Sequence, residues 1–381
     1  MEGSSPLIFQ KKGFFMTKRI CALSLILCLM LSLLCGCISL PEGLGGASST
    51  IAETSEVAPP IDPEGDFQIH FIDVGQADAA LVICDGKTML IDGGNKEDSN
   101  LIYSYLTRRG ISYLDYVVCT HAHEDHVGGL AGALTAADAG VVMAPVTQYD
   151  SKAFSDFVQK AADRGKTLTV PKAGESFSLG SAVVTVLGPV KEYEETNDTS
   201  IVLRIVYGET SFLFTGDMET AAETDLIESG AYLKSTLLKV GHHGSSTSTS
   251  YRFLREVAPT YGIISVGKDN SYGHPNESVL SRLSDADVIF LRTDEKGDII
   301  CTSDGKTLTF TTSKGGSVDV EVPKDETDPP VTEYPYIGNL NSKKFHHKDC
   351  SSLPGEENRI YFTSKAEAEE KGYTACGICK P

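Results

Sequence analysis

The stretch "THAHEDHVGG" (residues 120–129) places three histidines and two acidic residues within six consecutive positions. It follows the apolar run "YVVC" and precedes "GGLAGAL", a pattern typical of a turn from a buried strand into a helix. Imidazole and carboxylate groups are ligands of Zn²⁺, Mn²⁺ and Fe²⁺. Alternate side chains of an extended segment point the same way, so His121 and His123 can share one ion. Asp125 and His126 lie in the following turn, so the stretch predicts a site for two ions.

The composition limits the classes of function. The chain has 381 residues, 41% of them hydrophobic, and a formal net charge of −19. Broad electrostatic binding to nucleic acid or to an anionic membrane needs clustered Lys and Arg, so the acidic balance argues against it. It leaves room for a local site at which bound metal ions carry the positive charge.

The amino-terminal region is typical of a secretion signal. The basic "MTKR" (residues 16–19) precedes the apolar "ICALSLILCLMLSLL", and "LCGC" (residues 34–37) then resembles a bacterial lipobox. Residues 1–37 are therefore predicted to be a lipoprotein signal peptide with Cys37 as the lipidated residue. A lipid anchor would hold the protein at the extracellular face of the bacterial cell membrane. A plain transmembrane anchor is the alternative, and translation can begin at Met1 or at Met16.

Composition divides the rest of the chain into four parts. Residues 38–66 are rich in Pro, Gly and small polar residues and predict a flexible linker. Short β-type runs alternate with helical segments over residues 67–320, which predicts a mixed α/β domain. Residues 321–335 form a second linker, and residues 336–381 form a small terminal module.

The HxHxDH run resembles the signature of the metallo-β-lactamase superfamily. That resemblance implies an αββα sandwich, in which two mixed sheets pack face to face with helices outside and a dinuclear metal site lies at one sheet edge. It also implies a metal-ligand set, namely His121, His123, Asp125, His126, Asp217 and His243.

Three further motifs carry the resemblance. "LFTGD" (residues 213–217) supplies the acid that bridges the two ions, and "KVGHHGS" (residues 239–245) matches the last metal-binding motif. His242 is assigned to the site wall or to substrate, although the roles of the two adjacent histidines can be exchanged. "LIDGG" (residues 90–94) matches an early motif in which Asp92 supports the ligands from behind.

One departure points to a narrower group. No histidine lies between residues 127 and 241, where β-lactamases and glyoxalases have another ligand, and "TNDTSIVLRI" (residues 196–205) stands in its place. In this the chain resembles the hydrolase domain of the ComEC competence proteins. Asn197 or Asp198 is a candidate to complete the first ion's coordination. His274, in the loop "NSYGHP", is assigned to phosphate contact or to protonation of a leaving oxygen, with a structural role as the alternative. The candidate catalytic residues are Asp125, His242 and His274.

The terminal module has the ligand spacing of a zinc knuckle. His346-x₃-Cys350 pairs with the C-x₂-C of Cys376 and Cys379, and His347 is the spare ligand. The module resembles the zinc-binding domain of the Ada DNA-repair protein. Ada has a methyl-accepting cysteine where this chain has His346, so the resemblance implies a structural zinc without methyl transfer.

Together these features predict a secreted, lipid-anchored hydrolase that uses two divalent ions, Zn, Mn or Fe. The expected substrate is a phosphodiester such as DNA. The alternatives are hydrolysis of an amide, a lactone or a phosphocholine-type ester, or a non-catalytic DNA-capture lipoprotein. No protein partner can be inferred from the sequence.

Overall fold

The structure is a computed structural model that describes residues 67–318 and 336–381, except residues 349, 356–357 and 363–364. The predicted signal peptide with Cys37, and both predicted linkers, lie outside the described residues. Among the helices in the described ranges, none combines the length and the apolar composition that crossing a membrane requires.

Two large sheets form the main domain. The first contains β1 (Phe67–Phe71), β2 (Ala80–Cys84), β3 (Lys87–Ile91), β4 (Tyr113–Val118), β5 (Asp138–Met143), β6 (Leu168–Thr169), β14 (Ile299–Ser303), β15 (Leu308–Thr312) and β16 (Gly316–Val318). The second contains β7 (Ser176–Leu179), β8 (Ala182–Gly188), β9 (Val202–Tyr207), β10 (Thr210–Phe214), β11 (Leu237–Lys239), β12 (Tyr261–Ile264) and β13 (Ile289–Arg292). Their strand orders are β16-β15-β14-β1-β2-β3-β4-β5-β6 and β13-β12-β11-β10-β9-β8-β7.

Eight α-helices belong to the described part of this domain. They are α1 (Ser99–Arg108), α2 (Glu124–Val127), α3 (Leu130–Ala136), α4 (Lys152–Asp163), α5 (Thr220–Glu228), α6 (Tyr251–Val257), α7 (Glu277–Asp285) and α8 (Thr293–Lys296). Three 3-10 turns cover Lys96–Asp98, Asn197–Thr199 and Gly241–Gly244.

The two sheets bury a shared apolar core. Side chains of β1 alternate, and Phe67 and Phe71 stack on Phe212 and Phe214 of β10, with ring centroids 4.7 Å and 5.9 Å apart. The opposite face of each sheet is covered by helices. Leu81 and its neighbours on the first sheet pack against α1, α3 and α4, while the second sheet packs against α5, α6 and α7. The order of layers is helix, sheet, sheet, helix, which confirms the predicted αββα sandwich.

Glycines bring the metal-motif turn against the loop after β3. A Cβ atom on Gly129 would lie only 1.9 Å from the carbonyl oxygen of Gly93, and one on Gly128 only 2.3 Å from the backbone nitrogen of Lys96. No side chain fits at either distance. The "GG" of the opening stretch is therefore required by the close approach of two backbone segments that both carry site residues.

The terminal module has its own four-stranded sheet. Its strands are β17 (Tyr336–Asn339), β18 (Lys344–His347), β19 (Arg359–Phe362) and β20 (Thr374–Ala375), in the order β19-β17-β18-β20, with α9 (Lys365–Glu370) beside them. Phe345 and Phe362 are fully buried in a small core. Tyr251 of α6 belongs to the same cluster, so this core is shared with the main domain.

Candidate metal centre

The ends of two pairs of parallel strands converge on one site. Strands β3 and β4 are parallel neighbours in the first sheet, and β10 and β11 are parallel neighbours in the second. The loops that follow them carry, in order, Asp92, the HxHxDH run, Asp217 and the His242–His243 pair. Because the carboxyl ends of parallel strands meet at one edge, residues distant in sequence become neighbours.

Asp217 is the hub of the site. Its Oδ1 lies 3.2 Å from Nε2 of His126, and its Oδ2 lies 3.6 Å from Nε2 of His243 and 3.9 Å from Nε2 of His121. All four side chains are buried. The carboxylate therefore reaches imidazoles from both the first and the last metal motifs.

The remaining predicted ligands lie on two sides of this hub. His121 Nε2 and His123 Nδ1 are 3.1 Å apart, so both nitrogens can bind one ion. Asp125 Oδ2 lies 3.3 Å from His243 Nε2 on the other side. Ligand atoms of Asp125, His126, Asp217 and His243 all lie within 4.8 Å of one another. The six predicted ligands therefore form two groups, the cluster of Asp125, His126, Asp217 and His243 and the adjacent His121–His123 pair, which approaches Asp217 through His121.

The polar atoms of the site fit a bound cation. His126 Nε2, His243 Nε2 and Asp217 Oδ1 are buried and have no hydrogen-bond partner. A buried polar atom without a partner is costly, and three of them aimed at one point are satisfied together by a metal ion. The nitrogen and oxygen donors suit Zn²⁺, Mn²⁺ or Fe²⁺.

The electrostatics favour the metal-binding protonation state at His121 and Asp217. Burial and the neighbouring His126 hold the pKa of His121 well below its usual value, so its ring is neutral. Burial alone would raise the pKa of Asp217, but the imidazoles of His126 and His243 outweigh it and hold that pKa well below its usual range. A neutral imidazole beside an ionised carboxylate is the form in which both groups ligate a cation. At His126 and His243 burial opposes protonation, but the neighbouring carboxylates outweigh it and raise the pKa of His126 well above its usual value and that of His243 to about 10, so a bound cation would displace a proton from each ring.

Asp92 orients one of the imidazoles. The Nδ1–H of His126 donates to Asp92 Oδ2 at 2.8 Å, which leaves Nε2 facing Asp217. Asp92 also accepts hydrogen bonds from the backbone nitrogen and the hydroxyl of Thr120, both at 2.7 Å. The structure places Asp92 behind the ligands, where the family motif assigns it.

A buried ion pair that the sequence did not predict lies behind His243. Lys239 Nζ donates to Asp78 Oδ2 at 2.8 Å, and both side chains are almost fully buried. Asp78 Oδ1 lies 3.2 Å from His243 Nδ1, which is also 3.1 Å from the carbonyl oxygen of Ser265. The backbone nitrogen of Asp78 donates to the carbonyl of Asp125, so the pair ties the two metal motifs together. The available signals were a lysine inside the apolar "LLKVG" and an aspartate before "AALV".

The ligands open into a cavity of about 370 Å³. His274 lines it and is held by Gln76, whose Nε2 lies 3.3 Å from His274 Nδ1. Burial and the adjacent His242 lower the pKa of His274, so its ring is neutral near pH 7. Tyr272 stacks against His274 with ring centroids 5.7 Å apart and is 72% exposed at the rim.

Asn197 reaches the cavity wall, and its side-chain amide donates to Glu219 Oε1 at 3.2 Å. Its amide oxygen is buried without a hydrogen-bond partner. Asp198 Oδ1 instead accepts the backbone nitrogen of Glu219 at 2.9 Å, so its carboxylate supports the loop.

A second ligand cluster lies in the terminal module. His346, Cys350, Cys376 and Cys379 offer ligand atoms that all lie within 4.8 Å of one another. Parallel pairing of β18 with β20 brings the first two ligands to the last two. Backbone N–H groups of Cys379 and Ile378 lower the pKa of the Cys376 thiol to about 7, which favours the thiolate that binds zinc.

Comparison with known proteins agrees with this architecture. The sequence profile of the metallo-β-lactamase superfamily matches residues 72–268. This range includes every residue that we assign to the metal centre, from Asp92 to His243. The chain belongs to the metallo-β-lactamase superfamily. The profile of the metal-binding domain of Ada matches residues 325–381.

The chain is also similar to competence proteins. It is 29% identical to ComE operon protein 3 of Bacillus subtilis, over 67% of this chain and 35% of that protein. It is 30% identical to competence protein ComA of Neisseria gonorrhoeae, over 68% of this chain and 36% of that protein. The chain therefore spans about a third of the length of these relatives. Among solved structures, the metallo-β-lactamase-fold protein YhfI of B. subtilis aligns with 13% identity and a TM-score of 0.43, covering 62% of this chain and 100% of that chain.

These findings show a metal-dependent hydrolase of the metallo-β-lactamase fold, related to the ComEC family, with an Ada-like zinc-binding domain. The predicted family, fold class and metal dependence are confirmed at that level.

Lys239→Met tests the buried pair. It removes the cation that offsets the buried charge of Asp78, so we expect a loss of roughly 3–5 kcal/mol in the free energy of unfolding. The same substitution at Lys87, whose side chain is exposed beside Asp115, should leave the free energy of unfolding nearly unchanged. Urea unfolding in chelator measures both variants, and equal losses would contradict the assigned role.

The stability that Asp78 provides should depend on pH. Burial opposes ionisation of Asp78, but Lys239 and His243 lower its pKa below the ordinary 3.8. The contribution of Asp78 to the free energy of unfolding is therefore present above that pH and lost as the pH falls.

Cys379→Ser tests the zinc cluster. A module of this size has little apolar core, so loss of one thiolate should release the zinc and unfold residues 336–381. The matched control is His347→Ala, because the adjacent histidine lies outside the cluster and its removal should leave one zinc per module. Zinc content and proteolysis of the module report the result. Zinc retention in Cys379→Ser together with zinc loss in His347→Ala would show that the zinc ligands are assigned to the wrong residues.

Proposed function

We propose that this protein is a phosphodiesterase that uses two divalent metal ions and acts on DNA or a related nucleotide ester. The observation that carries the proposal is the placement of Asp217 between two groups of ligands at the floor of an open cavity. A carboxylate in that position can hold two cations roughly 3.5–4 Å apart, a separation that suits the oxygens of one phosphoryl group. Such ions would supply Lewis acidity and a nucleophile at neutral pH.

Two further features support a phosphodiester substrate. The chain lacks the histidine that β-lactamases and glyoxalases carry between residues 127 and 241. Its similarity lies instead with proteins named for competence and recombination, functions in which DNA is handled. The net charge of −19 means that attraction of a polyanion must come from the metal centre itself.

The chain's own residues have separate tasks in this proposal. The ligands would hold the positive charge of the metal ions at the cavity floor, and Asp217 would contact both ligand groups. His274 lies on the cavity wall with its Nδ1 held by Gln76, which positions the ring to hydrogen-bond a non-bridging or leaving oxygen. Asp125 also lines this cavity and would be both a metal ligand and a neighbour of the substrate.

Asp217→Asn is the direct test. The substitution keeps the size of the side chain and removes the charge that allows two cations to sit together. We expect hydrolysis of bis(p-nitrophenyl) phosphate and of single-stranded DNA by the Mn²⁺- or Zn²⁺-loaded protein to fall by at least roughly a hundredfold. Glu124→Gln removes an exposed acid of the same motif that lines the cavity but is not among the ligands, so it should change the rate far less than Asp217→Asn does.

Full activity in Asp217→Asn would contradict the site assignment. Turnover of a lactam, an amide or a phosphocholine ester, with no turnover of phosphodiesters by any of Zn²⁺, Mn²⁺ or Fe²⁺, would contradict the substrate class. Binding of DNA without turnover of any ester would identify a capture protein.

We also propose that the protein is lipid-anchored at Cys37 on the extracellular face of the cell membrane. The "LCGC" sequence and the apolar run before it support this. Cys37→Ala should block lipidation, so the protein should accumulate as an uncleaved precursor or leave the membrane. Fractionation and radiolabelled palmitate incorporation measure this. Normal processing with unchanged membrane retention would contradict the lipid anchor.

A further inference from the structure

The proposed first metal ion has one protein ligand fewer than the second. His121, His123 and Asp217 supply three ligands, whereas the second ion has Asp125, His126, His243 and the same Asp217. A divalent ion of this type takes at least four ligands, and a site with three protein donors leaves the rest to solvent and substrate. The histidine that would fill this position in β-lactamases is absent from the sequence.

His242 is built into the site in the same way as two of the ligands. His126 and His243 each direct Nε2 at Asp217, and a carboxylate lies beside their Nδ1. His242 repeats this pattern. Its Nε2 lies 3.5 Å from Asp217 Oδ2, and its Nδ1 lies 3.4 Å from Glu219 Oε1. A carboxylate on the far ring nitrogen is the arrangement that orients metal-binding histidines.

The backbone at this position is held in an unfavourable conformation. His242 has φ 51° and ψ 45°, and His243 has φ 52° and ψ 22°, so two consecutive non-glycine residues occupy the left-handed region. For a residue with a Cβ atom, this conformation is less stable than right-handed backbone. The backbone nitrogen of His242 donates to the carbonyl of Gly216, the residue before Asp217, which ties the pair to the hub. This conformation turns both rings of adjacent residues toward one carboxylate.

Asn197 is the rival donor for the same place, because its amide oxygen is buried without a hydrogen-bond partner. Its amide nitrogen, however, donates to Glu219, the carboxylate beside His242. Thr247 donates to the same Glu219 oxygen at 3.0 Å. Asn197 and Thr247 therefore fix the group that orients His242.

We propose that His242 is the fourth protein ligand of the first metal ion and replaces the histidine missing from the middle of the chain. The inference rests on the dinuclear centre of the proposed function and does not depend on the substrate. The adjacent histidines then serve different ions, His242 the first and His243 the second, with Asp217 between them.

His242→Gly separates this role from a structural one. Glycine adopts the left-handed conformation without strain, so the metal-free protein should unfold at the same or a higher temperature. Loss of the imidazole should weaken binding of one of two Mn²⁺ ions by at least roughly a hundredfold. The full-length protein in detergent is treated with chelator and titrated with Mn²⁺, and the bound ions are counted. Electron paramagnetic resonance then distinguishes a coupled pair from a single ion.

The expected result is two ions with a coupled spectrum in the wild type and one ion with an uncoupled spectrum in His242→Gly. The second ion should return when free imidazole is added, because the ring of His242 faces the open cavity. Asn197→Ala removes the rival donor and one hydrogen bond to Glu219, so it should weaken binding of the first ion far less than His242→Gly does. The zinc module is common to all variants, so differences between them report the centre.

Two tight ions in His242→Gly would overturn the inference. A loss of affinity in Asn197→Ala as large as that in His242→Gly, or a single ion in the wild type, would also overturn it. A lower unfolding temperature of metal-free His242→Gly with both ions retained would assign the residue a structural role. Hydrolysis of phosphodiesters is measured separately, and its absence with normal metal counts would contradict the proposed substrate class alone.

Discussion

The centre depends on one buried carboxylate. Asp217 carries a negative charge at an almost fully buried position, and imidazoles from two motifs surround it. A charge in such surroundings is stable only when cations or hydrogen-bond donors face it. The sharp loops after four strands, the closely approaching glycines and the strained histidine pair all serve to bring donors to this point. The sandwich supplies the rigid floor on which these loops meet.

Much of the fold and the ligand set could be predicted from the sequence because both leave local signals. Alternating apolar residues in runs such as "FQIHF" define the strands, and "HAHEDH" contains four ligands in one turn. Asp217 and His243 were found through motif resemblance, since an aspartate after a strand is by itself equally compatible with a helix cap.

The rest depends on contacts between distant segments. Asp78 and Lys239 are separated by 161 residues, and no local pattern pairs a lone aspartate with a lone lysine. The adjacent histidines could not be assigned to separate tasks from sequence, because the direction of each ring follows from positive φ angles that histidine rarely adopts. The hydrogen bond from Asn197 to Glu219 likewise appears only when β9 and the loop after β10 are placed side by side.

The central claim is that Asp217 bridges two metal ions. It is tested most directly by anomalous diffraction from crystals of the Mn²⁺-loaded protein, collected on both sides of the manganese absorption edge. If Asp217 bridges two ions, the anomalous difference map will show two manganese peaks in the main domain, roughly 3.5–4 Å apart, with the Asp217 carboxylate in contact with both. A single peak, or two peaks with Asp217 bound to only one of them, would contradict it.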